Sequence, residues 1–230
     1  MLGNAQETTE DFARKRASQA ANVNESTLSL TGNEDGKMPS FIFTDDGVTV
    51  GVTKKGCLIT YMLKSRQPSQ TLISQSAGLN AAADYLKKLG INDMQTTYYE
   101  TYNNVLTVNF AAKQDGVVCY TDLIKVSVAL DNGEILGFDA RGYIVNHHER
   151  SFPAQKITEA QAKKLLSPLL TVEKTKLALI PAESTKEVLC HEFTCKTDEG
   201  TRVLVYVGVE SGKEEQILIL FESETGVLTM

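Results

Sequence analysis

The stretch Ser76 to Gly90, SAGLNAAADYLKKLG, sets the architecture. Leu79, Ala82, Ala83 and Leu86 fall on one helical face, and Gly90 stands where a helix ends in a left-handed residue. Directly behind it the period changes. YYETY (98–102) and VLTVNF (105–110) alternate as strands around Asn103-Asn104. Gln114-Asp115-Gly116 then turns the chain into VVCYTDLIKVSVAL (117–130), and Asp131-Asn132-Gly133 into EILGF (134–138). Asp-Gly and Asn-Gly pairs favour tight antiparallel hairpins because glycine tolerates positive φ.

The same order of helix and then hairpins occurs on either side. Thr8 to Ala21, TTEDFARKRASQAA, has a threonine cap, acids in the first turn, and Phe12, Ala13, Ala17, Ala20 and Ala21 at helical spacing. Behind it lie FIFT (41–44), VTVGV (48–52) and CLITYML (57–63), joined by Asp-Asp-Gly and Lys-Lys-Gly turns. Ile157 to Leu170, ITEAQAKKLLSPLL, opens with the capping box Thr158–Gln161, and Pro168 should end or kink it. Its expected apolar stripe is Ile157, Ala160, Leu165, Leu166 and Leu169. TVEKTKLALI (171–180), VLCHEFTC (188–195), VLVYVGV (203–209) and ILILF (217–221) follow as a meander toward Thr225-Gly226. A helix followed by consecutive hairpins predicts an α+β fold, with each helix laid on an antiparallel sheet. Three tandem units are expected, at 1–67, 68–150 and 151–230, with Pro68 and Pro153 at the junctions.

Composition narrows the function classes. With 42% hydrophobic residues in 230, the chain can bury a real core. Its 23 Lys and Arg against 29 Asp and Glu give a formal charge of −6, with no basic stripe, so nucleic acid is not an expected partner. No run approaches the roughly 18–20 apolar residues of a membrane-spanning helix. The start, MLGNAQET, lacks the basic end and apolar middle of a signal peptide, so this chain reads as soluble. Four cysteines, Cys57, Cys119, Cys190 and Cys195, are too sparse for a disulfide scaffold and too dispersed for a zinc finger.

The candidate chemistry concentrates at Asp131 to Arg150, DNGEILGFDARGYIVNHHER, which holds two of the three histidines. His147 and His148 are adjacent and point to opposite faces of an extended chain, which suits a polar connector better than a metal site. A three-histidine zinc site would need His147, His148 and His191 together. In CHEFTC (190–195) the cysteines are five residues apart, so a regular strand sends them to opposite faces. Nucleophile elbows and phosphate-binding glycine loops have no counterpart here. Tyr98, Tyr99 and Tyr102 read either as sheet packing or as a sugar-stacking platform. The residues favour a protein that is not an enzyme, with no catalytic, metal or cofactor set.

The closing hairpins TKKGCLI (53–59), DNGEILG (131–137) and ETGVL (224–228) resemble those of PepSY domains. GFDARGYIVNHHER (137–150) together with VTKKGCLITYML (52–63) is similar to the C-terminal region of the YpeB family of spore germination proteins, over essentially the whole chain. That resemblance implies three tandem PepSY-like units and a non-catalytic module of the extracytoplasmic spore envelope, at the inner spore membrane and cortex. It also implies a partner, a SleB-like spore cortex-lytic enzyme, which the module binds, stabilises and restrains. Family members carry a membrane anchor that is not legible in these residues. Arg141, Tyr143, Asn146 and His147 become the expected partner or inter-unit contact. The alternatives are a cell-wall glycan- or peptide-binding module and, behind it, a peptidoglycan or peptide hydrolase. One departure stands out: Cys57 occupies a turn position where the family resemblance leads one to expect glycine.

Overall fold

The computed structural model describes residues 2–3, 5–182 and 186–229. In chain order the elements are α1 (Glu10–Ala21), β1 (Ser29–Glu34), β2 (Ser40–Asp45), β3 (Val48–Thr53) and β4 (Ile59–Lys64). Then come α2 (Gln75–Lys88), β5 (Met94–Tyr102), β6 (Val105–Gln114), β7 (Val117–Ala129), β8 (Ile135–Asp139) and α3 (Arg141–Asn146). The last are α4 (Glu159–Lys163), β9 (Leu170–Pro181), β10 (Glu187–Thr197), β11 (Arg202–Gly208), β12 (Glu214–Ser223) and β13 (Gly226–Thr229). The fold is α+β and mostly β. Two compact units emerge: Met1–Asn92 with Thr101–Phe110 and Asp122–His148, and Asp93–Glu100 with Ala111–Thr121 and Glu149–Met230.

In the first unit the strands run β1-β2-β3-β4-β8-β7-β6, and the pairings from β1 to β4, β4–β8 and β8–β7 are antiparallel. The Thr9 hydroxyl accepts from the Phe12 amide and starts α1. Ala13, Ala17, Ala20 and Ala21 are buried, and small side chains let the helix lie close to the strands that carry Phe43, Val50, Val52 and Met62. Phe12, which the expected stripe included, is instead 63% exposed. α2 is capped by Ser74 and buries Ala82, Tyr85 and Leu86. Its Tyr85 ring meets Phe138 edge-on at 5.7 Å, and its hydroxyl donates to the Ala20 carbonyl at 3.0 Å. The Arg16 guanidinium donates to the Leu89 carbonyl at 2.7 Å and so satisfies the end of α2.

The hairpin turns take the conformations their residues favour. Asn103 and Asn104 both have positive φ, 47° and 61°, as a two-residue turn matched to strand twist requires. Asp115 and Gly116 do the same at 50° and 84°. Cys57 also has φ 52°, directly after Gly56 at 75°, so this cysteine occupies a backbone conformation that favours glycine.

In the second unit the strands run β7-β6-β5-β13-β12-β11-β10-β9, and β9 pairs back onto β7 in parallel at Val118–Ala178 and Cys119–Leu179. That last pairing closes the sheet into a barrel, a feature the helix-on-sheet expectation did not contain. A barrel of about eight strands has an interior just wide enough for side chains or one small ligand. Glycine makes one seam possible: a Cβ on Gly226 would stand 2.2 Å from the Tyr99 carbonyl oxygen, in the short β13–β5 ladder.

Cys190 and Cys195 take opposite faces of β10, as their spacing predicts, and both are free thiols. Cys195, Phe193, Val203, Val205 and Val207 form the outer core, together with Ala162 of α4, Ile157 and Leu166. The third helix departs from expectation. Its capping box is present, but it spans only Glu159–Lys163, and the expected stripe is largely unused: Leu165 is 58% and Leu169 67% exposed. Pro168 has no N–H to continue the ladder and pushes Ser167 toward an extended conformation, so the helix stops a turn early.

Candidate functional site

α3 was not expected; the chain after the strand EILGF (134–138) reads as a polar connector. The Asp139 carboxylate accepts from the Arg141 backbone N–H at 3.0 Å and also pairs with its guanidinium, which lies over the Tyr61 ring at 5.3 Å. Burial raises the Asp139 pKa, yet the Arg141 contacts outweigh it and hold the carboxyl below the usual range. Tyr143 is buried and stacks on His147, with ring centres 4.4 Å apart. His147 Nδ1 lies 2.7 Å from an oxygen of the fully buried Asp122. Asn146 is exposed, and its carbonyl accepts from His148 Nδ1 at 2.7 Å. Arg141, Tyr143, Asn146 and His147 therefore come together on one short helix and the residue that caps its C-terminus, with Arg141 and Asn146 at its surface.

His147 and His148 belong to the first unit and His191 to the second. The His191 Nε2–H donates to the Ile157 carbonyl at 2.9 Å, which occupies that nitrogen. Among the described residues no group of three His, Cys, Asp or Glu side chains is placed to hold a metal ion. Arg150, which ends the histidine stretch, is almost fully buried and forms a fork to Glu187 at 2.9 and 2.7 Å. Such a bidentate pair fixes geometry as well as energy.

The strongest polar constellation was not singled out in the sequence. Alternate residues of β10 and its neighbours face the barrel interior, which is divided along its length. One part is apolar: Ala178, Ile180, Cys190, Leu204 and Tyr206 pack together. Burial pushes the Cys190 thiol up to about 12, helped by the Glu215 carboxylate. The other part is polar. Glu192 is buried, with one oxygen 3.1 Å from the Lys176 ammonium and the other accepting from the Tyr120 hydroxyl at 2.9 Å. Lys176 also donates to the Tyr120 oxygen at 3.0 Å. Tyr98 stacks on Tyr120 at 6.2 Å, and Tyr206 meets Tyr120 edge-on. Burial, and then the Glu192 charge, raise the Tyr120 and Tyr206 phenols well above their ordinary range. These hydroxyls keep their protons at neutral pH, so the cluster is built to hold a shape or a ligand rather than to supply a phenolate. A cavity of about 300 Å³ opens beside it, lined by Thr96, Tyr98, Lys174, Lys176, Thr194 and Leu220 among others. Tyr98 thus faces the barrel, whereas Tyr102 is 73% exposed.

One surface of the second unit is unusually apolar. Ile217, Ile219 and Phe221 alternate along the outer face of β12 and are 51%, 41% and 44% exposed; Leu228, paired with Phe221, is 39% exposed. Ala162 of α4, with Ile157 and Leu166, covers the neighbouring outer face of β11, whereas this face of β12 and β13 is exposed.

The chain matches the family model "YpeB sporulation, PepSY1 and PepSY2 domains" over residues 3–153. It belongs to the YpeB sporulation family. Sporulation protein YpeB of Bacillus subtilis is 34% identical over 179 residues, covering 77% of this chain and 40% of that protein. YpeB of Halalkalibacterium halodurans is likewise 34% identical, over 173 residues, 75% of this chain and 38% of its own length. The match thus spans about two fifths of these YpeB relatives. Among solved structures, the Bacillus megaterium YpeB C-terminal domain superposes with a TM-score of 0.83 at 26% identity, covering 94% of this chain and all of that one. These YpeB proteins bear the name of a sporulation protein, not of an enzyme. Among the described residues no helix is long and apolar enough to cross a membrane.

Proposed function

We propose that this YpeB-family chain is a non-catalytic germination module of the spore envelope that binds, stabilises and restrains a SleB-type cortex-lytic peptidoglycan hydrolase. The observation that carries the reading is the family match over residues 3–153, joined by the TM-score of 0.83 to a YpeB C-terminal domain. The bare β12–β13 face supports it, because contiguous exposed apolar residues on a folded domain mark protein-binding surfaces. Arg141, Tyr143, Asn146 and His147 form a second proposed contact, in which Arg141 and Asn146 meet the partner while Tyr143 and His147 hold α3 in place. The organisation that goes with this reading is three tandem PepSY-like units at 1–67, 68–150 and 151–230. The repeated order of helix and strands supports it, as does a two-PepSY match that stops at residue 153. The test is titration of the purified chain into a SleB-type enzyme while cortex cleavage is followed in the same tubes. Saturable binding with suppressed cleavage is expected; a folded chain that neither binds nor suppresses contradicts the proposal.

A further inference from the structure

The polar end of the barrel sets a buried network beside an open cavity. Inside it, Glu192 is fully engaged by Lys176 and Tyr120, so the buried carboxylate is neutralised within the protein. Lys176 has three N–H donors and spends two of them on these partners. Lys174 lies two residues along the same face of β9, lines the same cavity and forms no ion pair among the described residues. The lining therefore carries two ammonium groups against one carboxylate. Thr96 and Thr194 add hydroxyls, Gln95 an amide, and Leu204, Leu220 and Val227 an apolar floor. A cavity of about 300 Å³ sits at the lower end of the range for small-molecule sites, which combine apolar walls with a few fixed polar groups. The internally satisfied network below it keeps Lys176 in place without a ligand, the preorganisation that limits the entropy lost on binding.

We propose that this barrel mouth is a binding site for a small carboxylate-bearing ligand, with Lys174 and Lys176 taking the carboxylate and the threonines and Tyr98 its polar body. The carboxylate can belong to a sugar acid or to a peptide C-terminus, and both present the same charge to the lysines. The proposal is independent of the hydrolase reading, because its assay contains no hydrolase. The chain has no tryptophan, and two of its eight tyrosines, Tyr98 and Tyr120, line the pocket, so tyrosine emission carries a signal from it that calorimetry checks. The experiment titrates N-acetylmuramic acid, D-alanyl-D-alanine and the neutral N-acetylglucosamine into the chain, followed by tyrosine fluorescence and calorimetry. At least one carboxylate should bind saturably below about 10 mM, and the stronger of the two identifies the source of the charge. The neutral sugar should bind at least about tenfold more weakly, the worth of one charge-assisted contact. Lys174→Glu, a change at an exposed position that leaves the fold intact, should abolish the response, with an unchanged circular dichroism spectrum as the control. Failure of both carboxylates to bind, equal binding of the neutral sugar, or binding unaltered in Lys174→Glu overturns the proposal.

Discussion

At the scale of single residues, the interior of the barrel depends on groups that stay neutral or paired. Tyr120 donates a hydrogen bond to Glu192 and accepts one from Lys176, so Tyr120→Phe leaves both partners short of a contact. The expected loss is about 1–3 kcal/mol, read from the midpoint of urea unfolding. The same residue sets an alkaline limit. Burial and the Glu192 charge raise the Tyr120 and Tyr206 phenols in the folded chain. Below the ordinary tyrosine pKa of about 10 both states keep their protons and stability is unaffected. Above it the unfolded chain releases protons that the folded chain retains, so stability falls with rising pH. Urea midpoints taken at neutral and at strongly alkaline pH should show that fall, and Tyr120→Phe should make it shallower. A fall of the same steepness in the variant would remove Tyr120 from the account. Cys57 gives a second residue-level expectation. Its positive φ should tolerate Cys57→Gly, whereas Cys57→Val should cost about 1–2 kcal/mol because a β-branched side chain fits that region badly. Equal thermal midpoints for the two variants would contradict this.

At the scale of elements, the barrel seam and the short third helix decide the second unit. A side chain at Gly226 meets the backbone at Tyr99, so Gly226→Val should open the β13–β5 pairing. Hydrogen exchange at Val227 and Tyr99 should then rise to the level of unpaired strand, while the amides of β10 stay protected. Much of this scale was legible in the sequence. The Thr158–Gln161 capping box, the Asn103-Asn104 turn and the opposite faces of Cys190 and Cys195 follow from local chemistry and parity, and all three are present. What was not legible depends on distant chain. Barrel closure rests on Val118 and Cys119 meeting Ala178 and Leu179, a parallel pairing that no turn residue announces. α3 was missed because six residues carry too little periodicity to separate a helix turn from a polar connector. The Tyr120–Lys176–Glu192 cluster was hidden for the same reason as the barrel. Its members lie on separate strands, and the one local signal was an acid within the apolar alternation of CHEFTC.

At the scale of the whole molecule, the account turns on a partner. α4 ends at Lys163 and leaves Leu165 and Leu169 exposed, and Ile217, Ile219, Phe221 and Leu228 on β12 and β13 are exposed as well. Phe221→Glu should therefore weaken hydrolase binding by about tenfold or more, as expected for loss of an apolar anchor, while leaving the thermal midpoint nearly unchanged at so exposed a position. Arg141→Ala, measured beside it, separates the two proposed contacts: weaker binding with the fold intact assigns α3 to the partner, and lost stability with binding retained assigns it to the fold. The most direct test of the central claim combines this purified chain with a SleB-type enzyme on cortex peptidoglycan and records binding and cleavage together. The account predicts saturable binding and a matching drop in cleavage; a folded chain that leaves cleavage unchanged at every concentration would contradict it.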